Sequence, residues 1–446
     1  MFESIAKNDF ITIETLFESE KERTVSFLAN VYKQPTLLKD KIRKVCSYIL
    51  DDSQVISGKK ILIKPNWVVH DRKENDEICL RTNEKVLLAL IEILLDCKPL
   101  KIIIGDAPIQ KCQWDKLLTP GFYVSLEKLH VAHAIPIIIK DFRRVTFDPD
   151  KNDLLKERNP ISDYTIFNLG KESFLEPISS TKNNFRVTNY NPDRLAESHT
   201  VGMHKYCITN ELFDADLVIS VPKIKTHQKT GITAALKNLV GVNGDKDFLP
   251  HHRVGGTDNG GDCYPGKNIL RRISEFAMDN AYRSQGQKKY WIWFYLSIAL
   301  WKLSNPKNVH RIAAGWYGND TTWRMVMDIN KIVIYGKKDG TLSQDPQRMI
   351  FSLCDGIIGG QGDGPLDPEP LPLGIICFSN NSYLADICIS TLMQFDSNKI
   401  YMIRQAVEHI KDQTYSISVN QVETKLEELI NLSIKTLPPP GWSEYL

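Results

Sequence analysis

Short apolar runs that alternate with helix-length segments constrain this 446-residue chain more than any single motif does. Lys59 to Val69 reads as a buried strand ended by Pro65, Leu100 to Ile104 as a second strand and Ile135 to Ile139 as a third. Between the first two lies a helix whose cap is Thr82 or Asn83, with Val86, Leu87, Leu90, Ile91, Leu94 and Leu95 on one face and Pro99 closing it. Val124 to His133 gives the next helical stretch. Strands separated by helices of this length cannot pair as tight hairpins; they return by crossover and lie parallel. The expected fold is therefore α/β, an open, mostly parallel sheet flanked by helices, with a helical and loop-rich insertion.

The same rhythm sets the expected organisation. Residues 1–57 read as an N-terminal helical region, 58–240 and 331–446 as the α/β core, and 241–330 as the insertion. From Asp141 to Ser198 the pattern turns polar, which predicts short antiparallel pieces covering the sheet ends. Leu217 to Val221 is a candidate central strand, followed by an expected helix over Thr233 to Val240. The stretch Gly241 to Gly266 holds too many glycines and aspartates for regular structure and reads as a long functional loop. Ile269 to Tyr335 is mostly helical by pattern. Ile350 to Ile358 precedes an expected glycine-rich turn, Gly359 to Pro365, and Gly374 to Phe378 is a strand before a helix from Tyr383 to Met393.

Charge and cysteine usage exclude several function classes. With 56 basic against 54 acidic residues the net charge is +2, so no global field attracts nucleic acid, and anion recognition has to be local. Nine cysteines without a C-x-x-C pair argue against an iron–sulfur cluster. Their odd number and the polar start MFESIAKNDF lead to the expectation of a reducing cytoplasm. Tyr290 to Leu303, YWIWFYLSIALWKL, is the most apolar stretch and is flanked by Lys288, Lys289 and Lys302. Its uncharged run falls short of the ~20 residues of a membrane span. Two readings stay open for it: a core or homo-oligomer interface helix, or a peripheral helix at the inner membrane face.

Ligands of an open parallel sheet collect at the carboxyl ends of its strands. Those positions hold Lys64 and Asn66, then Asp106, then Lys223, Lys225, Thr226 and His227, and later Asp363. Lys223, Lys225, Lys229 and Lys237 fall within 15 residues, next to an expected helix start where free N–H groups favour an anion. On that helix Thr233 and Lys237 share a face, with Asn238 at its edge. No phosphate-binding P-loop or dinucleotide glycine fingerprint is present. In the long loop His251, His252, Asp258 and Asp262 offer ligands suited to Mg²⁺, Mn²⁺ or Zn²⁺, or a histidine for acid/base work. Arg324 could present its guanidinium fork to a phosphate or carboxylate.

Taken together, Ile63-Lys64-Pro65-Asn66, Gly105-Asp106, the run from Val221 to His227 with Thr230-Gly231, Leu236 to Gly241, Asp355-Gly356-Ile357 and Gly362 to Pro365 resemble the domain-of-unknown-function 362 family. Many relatives in that family carry a ferredoxin-like cluster domain, whose cysteines this chain lacks. Gly244 to Asp247, His251 to Arg253 and Trp316 to Asp320 resemble a branch met near polysaccharide-biosynthesis genes. The resemblance implies fold and site, not reaction.

The functional expectation is an enzyme acting on an anionic, phosphorylated or carboxylated small molecule by metal-assisted transfer or hydrolysis. Catalysis falls to His227, His251 and Asp363. Substrate binding falls to Lys64, Asn66, Lys223, Lys225, Thr226, Lys237, Asn238 and Arg324, and a divalent metal to Asp106, His252, Asp258 and Asp262. The alternative is a non-catalytic accessory protein that binds a lipid- or nucleotide-linked sugar at the membrane surface through Trp291, Trp293, Phe294, Tyr295 and Trp301.

Overall fold

A computed structural model describes residues 8–151, 153–305 and 312–446. Residues 1–7 of the expected N-terminal region and 306–311 of the expected helical stretch lie outside them. The architecture is α/β, with a 12-stranded, mostly parallel open sheet. Its strands are β1 (Asp9–Thr15), β2 (Lys60–Pro65), β3 (Lys101–Asp106), β4 (Ile137–Asp141), β5 (Leu217–Val221), β6 (Lys223–His227), β7 (Gly231–Thr233), β8 (Met349–Asp363), β9 (Asp367–Leu371), β10 (Ile375–Ser379), β11 (Tyr415–Val419) and β12 (Val422–Thr424). The order across the sheet is β12-β11-β1-β10-β8-β5-β2-β3-β4. From β8 to β4 all pairings are parallel, and β6 runs parallel to β8 beyond the end of β5.

The parallel half follows from the apolar runs. In β2, β3 and β5 every residue but the first of β2 and of β3 is buried, because helices cover both faces and no polar alternation is needed. One face is covered by α1 (Pro35–Val45), α2 (Glu84–Asp96) and α3 (Pro120–His133). Asn83 caps α2, its side chain accepting from the Lys85 amide. The opposite face packs against α7 (Thr322–Tyr335), α8 (Ser382–Leu392) and α9 (Tyr401–Ile410). Between Val145 and Arg253 lie three small antiparallel ladders over the sheet ends, as the polar pattern predicts. Two long helices, α5 (Ile269–Arg283) and α6 (Lys289–Ser304), form a hairpin closed by Ser274 and Ser297, whose hydroxyls lie 3.0 Å apart.

Three local expectations are corrected. The N-terminal region is not purely helical: β1 joins the sheet between β10 and β11. The helix expected over 233–240 is the single turn α4 (Ala235–Asn238), preceded by β7 and followed by a 3-10 turn, so Thr233 and Lys237 are not on one helical face. The glycine-rich turn is instead the far half of β8, a 15-residue strand. Gly359 and Gly360 serve close approach, since a Cβ would stand 2.9 Å from the Ile224 carbonyl oxygen and 2.8 Å from the Lys225 Cβ respectively.

Candidate functional site

The candidate site begins where β2, β3 and β5 end. Lys64 is the penultimate residue of β2 and fully inside the protein, paired with Asp106 at 2.8 Å. Asp106 is otherwise saturated, accepting from the Trp67 and Ala107 amides at 2.7 and 2.8 Å. Asn238 locks this corner. Its Oδ1 accepts from Lys64 at 3.1 Å and Asn66 at 3.3 Å, while its amide donates to the Lys64 carbonyl and the Ser220 hydroxyl. Gly241 lies directly over the pair, where a Cβ would stand 1.9 Å from the Asp106 Oδ1. Sequence positions 64, 66, 106 and 238 are thus gathered into one hydrogen-bonded unit.

Around that unit lies an excess of cations. Lys225 and Lys229 are buried, and Lys237 and Lys246 are half-buried. Among the described residues none of the four pairs with a carboxylate. The Lys225 Nζ donates to the Leu80 carbonyl, and the Lys229 Nζ has no hydrogen-bond partner among the described residues. Burial and mutual repulsion push Lys225 and Lys237 down to about 7, and burial pushes Lys229 and Lys246 down to about 8. Lys237 feels Lys246, Lys229, Lys64 and Asp106, Lys225 feels Lys237 and Asp106, and Lys229 feels Asp262, which places the five lysines in one electrostatic neighbourhood with two buried aspartates. Asn66 Oδ1 and the Oγ1 of Thr233, which pairs in register with Lys225, are also buried without a partner among the described residues.

Two histidines complete the cluster. His227 ends β6, and its Nδ1 accepts from the Lys229 amide at 3.1 Å, so the neutral ring carries its proton on Nε2. The His251 Nδ1 lies 2.7 Å from the Leu249 carbonyl, which can only accept, so in the neutral ring Nε2 carries the lone pair. The His251 backbone is pinned to the start of α7 by the Asn319 amide and the Thr322 hydroxyl. Burial, then the surrounding lysines, hold both rings well below the ordinary histidine range. The cluster therefore presents a neutral base and a neutral donor beside several lysines.

Other expected site residues are placed elsewhere or are already occupied. Lys223 is a core group: its ammonium pairs with Asp355 at 2.6 Å and donates to the Tyr32 hydroxyl and the Ile78 and Ile358 carbonyls. Thr226 points to the opposite side of β6, its hydroxyl bonded to the Gly362 carbonyl. Arg324 is held by Asp320 and the Phe174 carbonyl and stacks on Trp323. Asp363 lies at the end of β8 and lines a separate open cavity with Tyr317, Gln394 and Lys435.

The four residues read as metal ligands are not brought together. Asp106 serves Lys64. Asp262 accepts from the Arg253 and Asp320 amides and the Thr321 hydroxyl, holding the entry to α7. Asp258 is exposed in a turn, and His252 lines a cavity of about 50 Å³ beneath α5 and α6. Among the described residues no three His, Cys, Asp or Glu side chains gather in a metal-binding group. The expected anion site at the helix start is likewise occupied: the Ala235 and Leu236 amides donate to Asp386, whose carboxyl is pushed up to about 8 by burial. Lys246 is the functional candidate that the sequence reading missed. Its signal is a lone lysine in a breaker-rich loop, and Arg144 gripping Asp245 at 2.5 Å fixes it in place.

A family model for a domain of unknown function, DUF362, matches residues 168–391, half of the chain. The chain belongs to the domain-of-unknown-function 362 family. The DUF362 match contains β5 to β7, the loop with Lys246 and His251, and all of β8, whereas Lys64 and Asp106 precede it. A thylakoid-associated protein of Synechocystis is 22% identical over 189 residues, 42% of this chain. The match spans 36% of that relative's own length. A crystal structure of a Thermotoga maritima protein is similar at 9% identity and a TM-score of 0.34, over 76% of this chain and 56% of that one.

Proposed function

We propose that this DUF362 protein is an enzyme that binds a small anion bearing phosphate or carboxylate groups at the Lys64–Asp106 corner and moves a proton on it. The observation that carries the reading is the charge imbalance, five lysines against two buried aspartates, of which Asp106 pairs with Lys64 and Asp262 is held by the Arg253 and Asp320 amides and the Thr321 hydroxyl. Desolvated, unpaired ammonium groups are costly, and a polyanion would neutralise them and restore their ordinary basicity. His251, with its lone pair on Nε2, is the base; His227, with a proton on Nε2, is the donor. Lys225 and Lys237, held at about 7, are partly neutral amines near neutral pH and could instead act as nucleophile or base. Transfer or hydrolysis fits these groups without a step routed through a metal.

The resemblance of the loop motifs to the branch met near polysaccharide-biosynthesis genes makes sugar phosphates and nucleotide sugars the first ligands to test, with 2-hydroxy acids as the carboxylate comparison. The expected result is a rise in melting temperature with one of these anions that is lost in Lys237→Met and Lys246→Met. His251→Gln should keep the rise and lose turnover. If no anion stabilises the protein, or the lysine variants respond like the parent, the reading fails. A second reading, binding of a lipid- or nucleotide-linked sugar without turnover, draws support from the name of the Synechocystis relative, a thylakoid-associated protein. It predicts that His251→Gln changes nothing measurable beyond affinity.

A further inference from the structure

The α5–α6 hairpin is the largest feature that the proposed chemistry leaves unused. Helix α6 is apolar on every face, a composition proper to a helix surrounded by other groups, yet only Tyr290, Ser297 and Trp301 of its residues are buried. On the side opposite these, Ile292 is 70% and Leu303 69% exposed, and Leu296 lies between them at one-turn spacing. Helix α5 repeats the pattern: Ile269, Ile273 and Phe276 form an exposed stripe at i, i+4 and i+7. The Phe276 ring lies 6.4 Å from Trp293, joining the two outward faces across the pair. Scattered exposed apolar residues are ordinary; a continuous two-helix face of them is a docking surface.

The charges around this face select its occupant. Lys267, Arg272, Lys288, Lys289 and Lys302 are exposed on or beside the two helices and pair with no carboxylate among the described residues. The pair's two acids are spent inward. Asp279 is bridged by Arg186 at 2.8 Å, and Glu275 accepts from the Gly255 amide and is pushed up to about 7 by burial. A second copy docked by a two-fold axis would set these cations against themselves. A layer of anionic headgroups over acyl chains complements both the rim and the face. No helix among the described residues is long and apolar enough to cross a membrane, so the contact is peripheral.

We propose that the α5–α6 hairpin docks this protein on an anionic bilayer, with Ile292, Leu296, Leu303 and Phe276 entering the headgroup boundary. This revises the aromatic face expected from sequence: Trp301 is buried, and Trp291, Trp293 and Phe294 are half-buried in the packing of the pair, leaving Tyr295 as its exposed member. The inference is independent of the anion chemistry proposed above.

The test is co-sedimentation of the full chain with vesicles of phosphatidylcholine alone or with 30% phosphatidylglycerol, alongside sedimentation velocity without lipid. Recovery with the anionic vesicles alone is expected. Ile292→Asp with Leu296→Asp should abolish it at an unchanged melting temperature, and Lys288→Glu with Lys289→Glu should lower partitioning by about fivefold per lysine or more. Absence of recovery from the parent overturns the proposal, as does recovery that the aspartate pair leaves intact. A lipid-free dimer that the aspartate pair dissociates, without vesicle binding, assigns the face to a second copy instead.

Discussion

Lys223 and Lys225 stand two residues apart in one strand, both fully buried, and their roles are opposite. Lys223 has Asp355 at 2.6 Å and donates to three further oxygens, so its charge is balanced within the core. Lys225 has a single carbonyl and is surrounded by other lysines. Burial lowers both; what separates them is the presence of a carboxylate across the strand pair. A paired buried cation is part of the fold, and an unpaired one invites a ligand.

The largest effect should come from breaking the balanced side. Asp355→Ala leaves the Lys223 ammonium without its counter-charge and should cost about 3–5 kcal/mol in denaturant unfolding, whereas Lys223→Met combined with Asp355→Leu should recover most of that loss. A loss under about 1 kcal/mol for Asp355→Ala would remove the distinction between the two lysines. Next in size is Gly241→Ala, whose Cβ would stand 1.9 Å from the Asp106 Oδ1 and 2.6 Å from the Lys64 Cε. It should destabilise by about 1–3 kcal/mol and weaken anion stabilisation as well, because the Lys64–Asp106 pair must shift.

On the unbalanced side the expected change has the other sign. Lys237→Met removes a repelled charge, so it should raise the unliganded melting temperature by a few degrees while abolishing the response to anions. The smallest effect is in the pH dependence. Lysines held at about 7 and 8 bind fewer protons in the folded than in the unfolded chain from there up to their ordinary 10.5. Their contribution to stability therefore rises with pH over that window and is lowest below about 7. Asp386, pushed up to about 8, works against it between the ordinary carboxylate range and 8. The difference between the parent and Lys237→Met isolates the lysine: that difference should shrink as the pH rises from 7 to 9, and a saturating anion should flatten it. A difference independent of pH would show that Lys237 is not held below its ordinary basicity.

Much of the parallel half was legible in the chain because an all-apolar run between helix-length segments has few other ways to bury itself. β2, β3 and β5 fall where Lys59 to Val69, Leu100 to Ile104 and Leu217 to Val221 predict, to within a few residues at their ends. The glycine-rich end of β8 was not, since glycine marks both tight turns and close packing, and the neighbour that decides, Lys225, is more than 130 positions away in sequence. Lys64, Asn66 and Asp106 were legible as strand-end polar groups and Asn238 as a polar group on the following helix, and they do converge.

What the sequence by itself determined is the α/β class and the placing of polar residues at strand ends, because both follow from local periodicity and chain reach. Which lysine is neutralised by Asp355, that Asp386 fills the short helix start, and that Trp301 of α6 is buried while Ile292, Tyr295, Leu296 and Leu303 face out were decided by tertiary structure alone. Charge pairing and burial depend on groups distant in sequence, and one residue's identity carries no record of them.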